Sequence, residues 1–155
     1  MLLKIKPFKQ SSGLCGPAVL KMVFDFYGLK KTEKQLANEL KCDPRYGIPA
    51  EPMLKLAKKY GLKGFIKDFS EIEDIRGWVV NKKTPVIVDW FSENEGHYSV
   101  IIDIDNQKIF LQDPEIGKVR KIDLETFKRV WFDFEGPFIG SKKDLILRRM
   151  LLIYK

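Results

Sequence analysis

The chain has 155 residues, of which 45% are hydrophobic, with 11 Phe, 5 Tyr and 3 Trp; this is enough apolar material to bury a core and excludes a disordered chain. The formal net charge of +7 comes from 28 Lys and Arg against 21 Asp and Glu, but the basic residues are scattered pairs such as Lys30-Lys31 and Lys142-Lys143, a solvated surface rather than a nucleic-acid groove. Two cysteines are too few for a disulfide-stapled secreted domain, and neither a signal peptide nor a membrane-spanning stretch is visible, so a single domain over residues 1–155 in the cytoplasm is expected.

After an extended lead-in, Gly16 and Pro17 stand ahead of the apolar run Ala18 to Tyr27, and Gly28 follows it. Proline in the first turn and glycine past the last predict a helix, and its apolar faces predict that it is buried centrally. Cys15 lies at the N-terminal edge of that helix. Thr32-Glu33-Lys34-Gln35 has the spacing of a capping box and opens a second helix ending near Lys41. A loop with Pro44, Gly47 and Pro49 separates it from a third helix over Glu51 to Tyr60, stopped by Gly61. Ser70 and the residues after it predict a fourth, carrying Ile72, Ile75 and Val79 inward.

From Thr84 onward the apolar runs become short and β-branched: Pro85 to Phe91, His97 to Ile102 and Lys108 to Gln112. These predict strands, the last two joined by a tight turn at Asp105-Asn106-Gln107, with Pro114 ending the third. Leu124 to Trp131 reads as a further helix and Leu145 to Tyr154 as one closing strand. Helices first and an antiparallel sheet second define an α+β fold.

The chain has one histidine, so His97 is the candidate general base near neutral pH. A thiol is a nucleophile as its thiolate, which a neighbouring imidazolium and a helix N-terminus both favour; Cys15 has the second of these from its position alone. A histidine in this role needs a partner on its other ring nitrogen. With the turn near Asn106, facing residues sum to about 211 in number, so position 97 pairs near position 114, and Asp113 rather than Asp103 or Asp105 falls in reach. An oxyanion needs donors, and Gln10 is the one amide side chain upstream of Cys15. Each residue alone has a plainer explanation: a buried small cysteine, a structural histidine, a turn-forming aspartate. It is the order along the chain that points to catalysis.

In that order the chain resembles the bacteriocin-processing, double-glycine leader peptidases, cysteine peptidase family thirty-nine of the papain-like clan. The likeness runs from about residue 5 to 135. It rests on Gln10, on Cys15-Gly16-Pro17-Ala18, on Asp43-Pro44-Arg45-Tyr46-Gly47, on Gly96-His97-Tyr98-Ser99-Val100, on Leu111-Gln112-Asp113-Pro114, and on Ile122 to Phe127 with Trp131. The resemblance implies a papain-like fold, Cys15, His97 and Asp113 as catalytic residues, and Gln10 in the oxyanion hole. The family usually has one more residue between the glutamine and the cysteine, and its processing members are commonly the first domain of a membrane exporter.

The function expected is therefore a cysteine peptidase-like hydrolase acting on a peptide or protein, without cofactor, through an acyl-enzyme on Cys15. A peptide-binding module of the same fold and an acyl transferase using the same residues are the alternatives. Trp90 and Tyr98 are expected to shape a substrate pocket, together with the loops at Asp43 to Glu51 and Ser92 to Gly96. Two cysteines and one histidine fall short of a four-ligand zinc site, so no metal is expected. Cys42, beside Asp43-Pro44, is expected at a helix end or in a loop.

Overall fold

The computed structural model describes residues 1–155. Three helices come first. α1 (Cys15–Phe26) begins without a side-chain cap; Ala18 N–H closes its first turn on the Leu14 carbonyl at 3.0 Å, and Pro17 sits where no N–H is needed. It ends where Gly28, at φ +84°, lets Leu29 N–H turn back to the Phe24 carbonyl. α2 (Glu33–Leu40) opens with the reciprocal box: Thr32 Oγ1 accepts from Gln35 N–H at 3.0 Å, and Gln35 Oε1 accepts from Thr32 N–H at 2.9 Å. α3 (Ala50–Lys59) follows Pro49 and is stopped before Gly61, which has φ +86°.

The rest of the chain builds a six-stranded antiparallel sheet and a small two-stranded one. The elements are β1 (Lys63–Lys67), α4 (Ile72–Arg76), β2 (Val86–Ser92), β3 (Glu95–Ile104), β4 (Lys108–Asp113), β5 (Lys118–Asp123), α5 (Leu124–Val130), β6 (Phe132–Phe134), β7 (Leu145–Leu147) and β8 (Arg149–Tyr154). The large sheet runs β1-β8-β2-β3-β4-β5 and the small one pairs β6 with β7. The α+β arrangement, helices packed on a later antiparallel sheet, is the one the sequence predicts. A cluster of 34 buried apolar residues extends from Leu3 to Ile153, with α1 packed on β3, α3 packed on β1 and β8, and α2 against both helices.

Four local expectations are corrected. The fourth helix is shorter: it is capped by Glu71 and Asp74, while the Ser70 hydroxyl donates instead to the Lys67 carbonyl, and a π-helical turn over Gly77–Asn81 carries Val79 inward. The closing strand is two. Arg148 adopts φ +49° and donates its N–H to the Trp131 carbonyl, which sends Leu145–Leu147 to β6 and Arg149–Tyr154 into the large sheet. β1 and β5, both edges of the large sheet, were not expected as strands; β1 begins and ends on lysine, β5 carries Lys118, Arg120 and Lys121, and both lack a clean apolar alternation, as edges that must avoid pairing with other chains do. The β3–β4 ladder carries a bulge between Ile101 and Asp103: Ile104 faces Ile109 beside the turn, and beyond the bulge the register shifts by one so that Val100 faces Gln112.

Candidate active site

Cys15 is the first residue of α1, half-buried and free. Two glycines bring another loop over it. A Cβ on Gly13, which has φ +76°, would lie 2.1 Å from the Pro44 carbonyl oxygen, and one on Gly16 would lie 2.4 Å from Ile48 Cγ2. The segment Asp43 to Ile48 therefore rests directly against the N-terminus of α1. Cys42 is also half-buried and free; burial, then the charges of Cys15 and Asp43, push its thiol above the ordinary value.

His97 enters from β3, opposite Trp90 of β2, and is 4% exposed. Its Nε2 stands 2.5 Å from Asp113 Oδ1, and the edge of its ring meets the Trp90 ring at 6.0 Å between centres. Burial alone would lower the imidazole pKa. The hydrogen bond to the Asp113 carboxylate, then the neighbouring Cys15 thiol, outweigh that and raise it to about 9.

Asp113 is the last residue of β4 and its side chain is wholly buried. Oδ1 also accepts from Glu115 N–H at 3.0 Å, and Oδ2 accepts from Arg120 Nε at 2.6 Å. Burial pushes this carboxyl upward, but the His97 and Arg120 partners and the Glu115 amide together hold it below its ordinary value. Glu115 Oε2 lies 3.7 Å from His97 Nε2 and 3.6 Å from an Arg120 terminal nitrogen. His97, Asp113 and Glu115 have ligand atoms within 4.8 Å of one another; the guanidinium of Arg120 already sits on both carboxylates, so the donors form a closed ion-paired set rather than an open metal cradle.

Gln10 is held at the same place by its backbone, whose N–H donates to the Pro114 carbonyl at 2.9 Å. Its side chain is hardly committed: Nε2 reaches only the Ser11 carbonyl at 3.4 Å, and Oε1 is buried without a partner. Trp90 and Tyr98 are both buried and internally bonded. Trp90 Nε1 donates to Ser99 Oγ at 3.0 Å, and Tyr98 Oη donates to the Ile48 carbonyl at 2.9 Å.

The structure thus brings Cys15, His97, Asp113 and Gln10 to one place, with Trp90 and Tyr98 packed beneath it. It adds three groups that sequence reasoning missed. Arg120 and Glu115 come from β5 and the turn before it. Asp89, 3% exposed in the middle of β2, faces Asp133 of β6; burial and then that second carboxyl drive its pKa well up, only partly offset by Arg149. Asp133 lies so close to the β3 backbone that a Cβ on Gly96 would stand 2.2 Å from its oxygens. No motif marks any of the three: Arg120 is placed by the pairing of β5 with β4, Glu115 by the turn between them, and Asp89 by the packing of β6 on β2. A surface hollow between α4, the β3–β4 turn and α5, with Arg76, Lys108 and Lys128 on its walls, is lined by none of these residues.

A thiol at a helix N-terminus, an imidazole and a carboxylate behind it, carried by helices packed on an antiparallel sheet, define the class of the papain-like cysteine peptidases. The peptidase C39 family matches residues 6–134, and the chain belongs to that family. Solved structures share the fold. A double glycine motif protease from an AMS/PCAT transporter, in complex with the leader peptide, is 24% identical with a TM-score of 0.73, covering 97% of this chain and 91% of its own. The peptidase domain of Streptococcus ComA, a bifunctional ABC transporter of a quorum-sensing pathway, is 22% identical with a TM-score of 0.74, covering 97% and 98%. A C39-like peptidase from Bacillus anthracis is 18% identical with a TM-score of 0.69, covering 96% and 94%. No curated protein gave a match. No helix of this chain is long and apolar enough to cross a membrane.

Proposed function

We propose that the chain is an active cysteine peptidase that cleaves a peptide bond through an acyl-enzyme on Cys15. The observation that carries this reading is the 2.5 Å contact of His97 Nε2 with Asp113 Oδ1, which leaves the other ring nitrogen for Cys15. In the first half-reaction the Cys15 thiolate adds to the scissile carbonyl. His97, as imidazolium, then gives its proton to the leaving amine, and the thioester remains on Sγ. In the second, His97 takes a proton from water as the hydroxyl oxygen attacks the thioester, and the acid and the thiol are released. The oxyanion of each tetrahedral intermediate accepts hydrogen bonds from the Cys15 N–H and from Gln10 Nε2, whose weak contact at 3.4 Å is easily given up.

Trp90 and Tyr98 serve this site from below, by fixing His97 and the Ile48 loop. The substrate class follows the relatives: a peptide or protein carrying a double-glycine leader. Iodoacetamide labelling at pH 7 followed by mass spectrometry tests the site, with Cys42 as the internal control. Cys15 is expected to label at least about 10-fold faster, and Cys15→Ala to abolish cleavage of a double-glycine leader peptide while retaining its binding. Equal labelling of the two cysteines, or equal leader binding with no cleavage by either protein, would replace the peptidase by a binding module.

A further inference from the structure

We infer that Arg120 is a positioning residue of this site, locking Asp113 so that His97 is presented to Cys15 in one orientation; the inference rests on the peptidase reading above. Four side chains close a ring of contacts. His97 Nε2 meets Asp113 Oδ1 at 2.5 Å, Asp113 Oδ2 accepts from Arg120 Nε at 2.6 Å, the Arg120 guanidinium lies 5.7 Å from the centre of the Trp90 ring, and Trp90 returns edge-on to His97 at 6.0 Å. The ring is pinned from outside at two points. Trp90 Nε1 is bonded to Ser99 Oγ, and an Arg120 terminal nitrogen lies 3.6 Å from Glu115 Oε2.

A buried carboxylate with one partner is free to rotate about χ2 and swing its second oxygen toward the histidine. Asp113 has no such freedom, because Oδ2 is held by a charge-assisted bond and Oδ1 carries both His97 and the Glu115 amide. The planar guanidinium suits this place: it bonds the carboxylate in its plane and presents a face to an indole. Arg120 also supplies the compensating charge that a buried aspartate needs to stay ionised. Its polar partners are Asp113 and Glu115, with no hydrogen bond or ion pair to Cys15 or Gln10, so its action runs through Asp113 and His97. An ion pair that only tied β5 to β4 would need neither the contact with Trp90 nor the second carboxylate.

The test compares wild type, Arg120→Ala, Arg120→Gln and Arg120→Lys by two readouts that bulk stability does not move. The first is the pH profile of Cys15 alkylation by iodoacetamide, with Cys42 as the internal reference. The second is the NMR titration of the single imidazole. In Arg120→Ala and Arg120→Gln the Cys15 rate at pH 7 is expected to fall about 10-fold or more, and the acid limb and the His97 midpoint to move from their wild-type positions, with Arg120→Lys between these and wild type. Wild-type Cys15 labelling no faster than Cys42 would sink the peptidase reading itself, before any variant is made. Fast wild-type labelling retained in all three variants, with an unmoved His97 midpoint and only a lower melting temperature, would overturn the role of Arg120 and leave the peptidase intact. Should Arg120→Ala not fold, the Gln and Lys variants give the same decision.

Discussion

Because His97 is the only histidine, its ionisation can be followed without assignment. The C2 proton of the imidazole is expected to titrate with a midpoint near 9, against about 6.5 for a free side chain. The sign for stability follows: the folded state holds the proton more tightly than the unfolded one, so the contribution is full below about pH 6.5 and is lost as pH rises through about 9. Two and a half units correspond to about 3 kcal/mol. Chemical denaturation at pH 6 and pH 10 should show that loss in wild type, and Asp113→Asn should remove the share that Asp113 supplies, leaving that of Cys15. Asp89 also has a raised pKa, but through burial beside a second carboxyl, which disfavours its charged form. Its folded-state pKa is raised, so ionising it costs stability as pH climbs above the ordinary carboxylate range, and at neutral pH it strains the fold. Asp89→Asn keeps the shape, removes the charge conflict with Asp133, and is expected to raise the melting temperature at pH 7 by a few degrees; an unchanged or lower value would mean that the carboxyl has a stabilising partner in Arg149.

At the scale of elements, the site is assembled by close approaches that glycine alone permits. Gly96 lets Asp133 of β6 lie on the β3 backbone one residue before His97, and Gly13 lets the Pro44 loop lie on the entrance to α1. A methyl at Gly96 meets carboxylate oxygens at 2.2 Å, and one at Gly13 meets a carbonyl at 2.1 Å in a left-handed conformation as well. Gly13→Ala is expected to cost about 1–3 kcal/mol in urea unfolding and to slow Cys15 labelling, since it displaces the turn that carries the thiol; normal stability with normal labelling would refute the contact. The helices were readable because their signals are local: a capping box at Thr32, glycine stops at Gly28 and Gly61, proline in a first turn. The edge strands β1 and β5 were not, because lysine-rich edges carry little apolar alternation.

The whole molecule is closed by its last strand. β8 lies between β1 and β2, so the sheet that presents His97 is continuous only after residue 154 has been placed. Met150, Leu151, Leu152 and Ile153 are each no more than 1% exposed. At about 2 kcal/mol for each buried side chain their contribution is about 8 kcal/mol, comparable to the whole stability of an ordinary domain, about 5–15 kcal/mol. A chain truncated after Arg148 is therefore expected to lose the cooperative unfolding transition, measured by circular dichroism, and with it the selective reactivity of Cys15. By itself the sequence determined what short-range physics can encode: the leading helices, the central hairpin strands, the α+β class, and the order in which a thiol, an imidazole and a carboxylate occur. Only the tertiary structure decided which charges share one place. Arg120 reaches Asp113 and Asp133 reaches Asp89 through strand pairing and packing between distant segments, and such contacts leave no periodicity or motif along the chain.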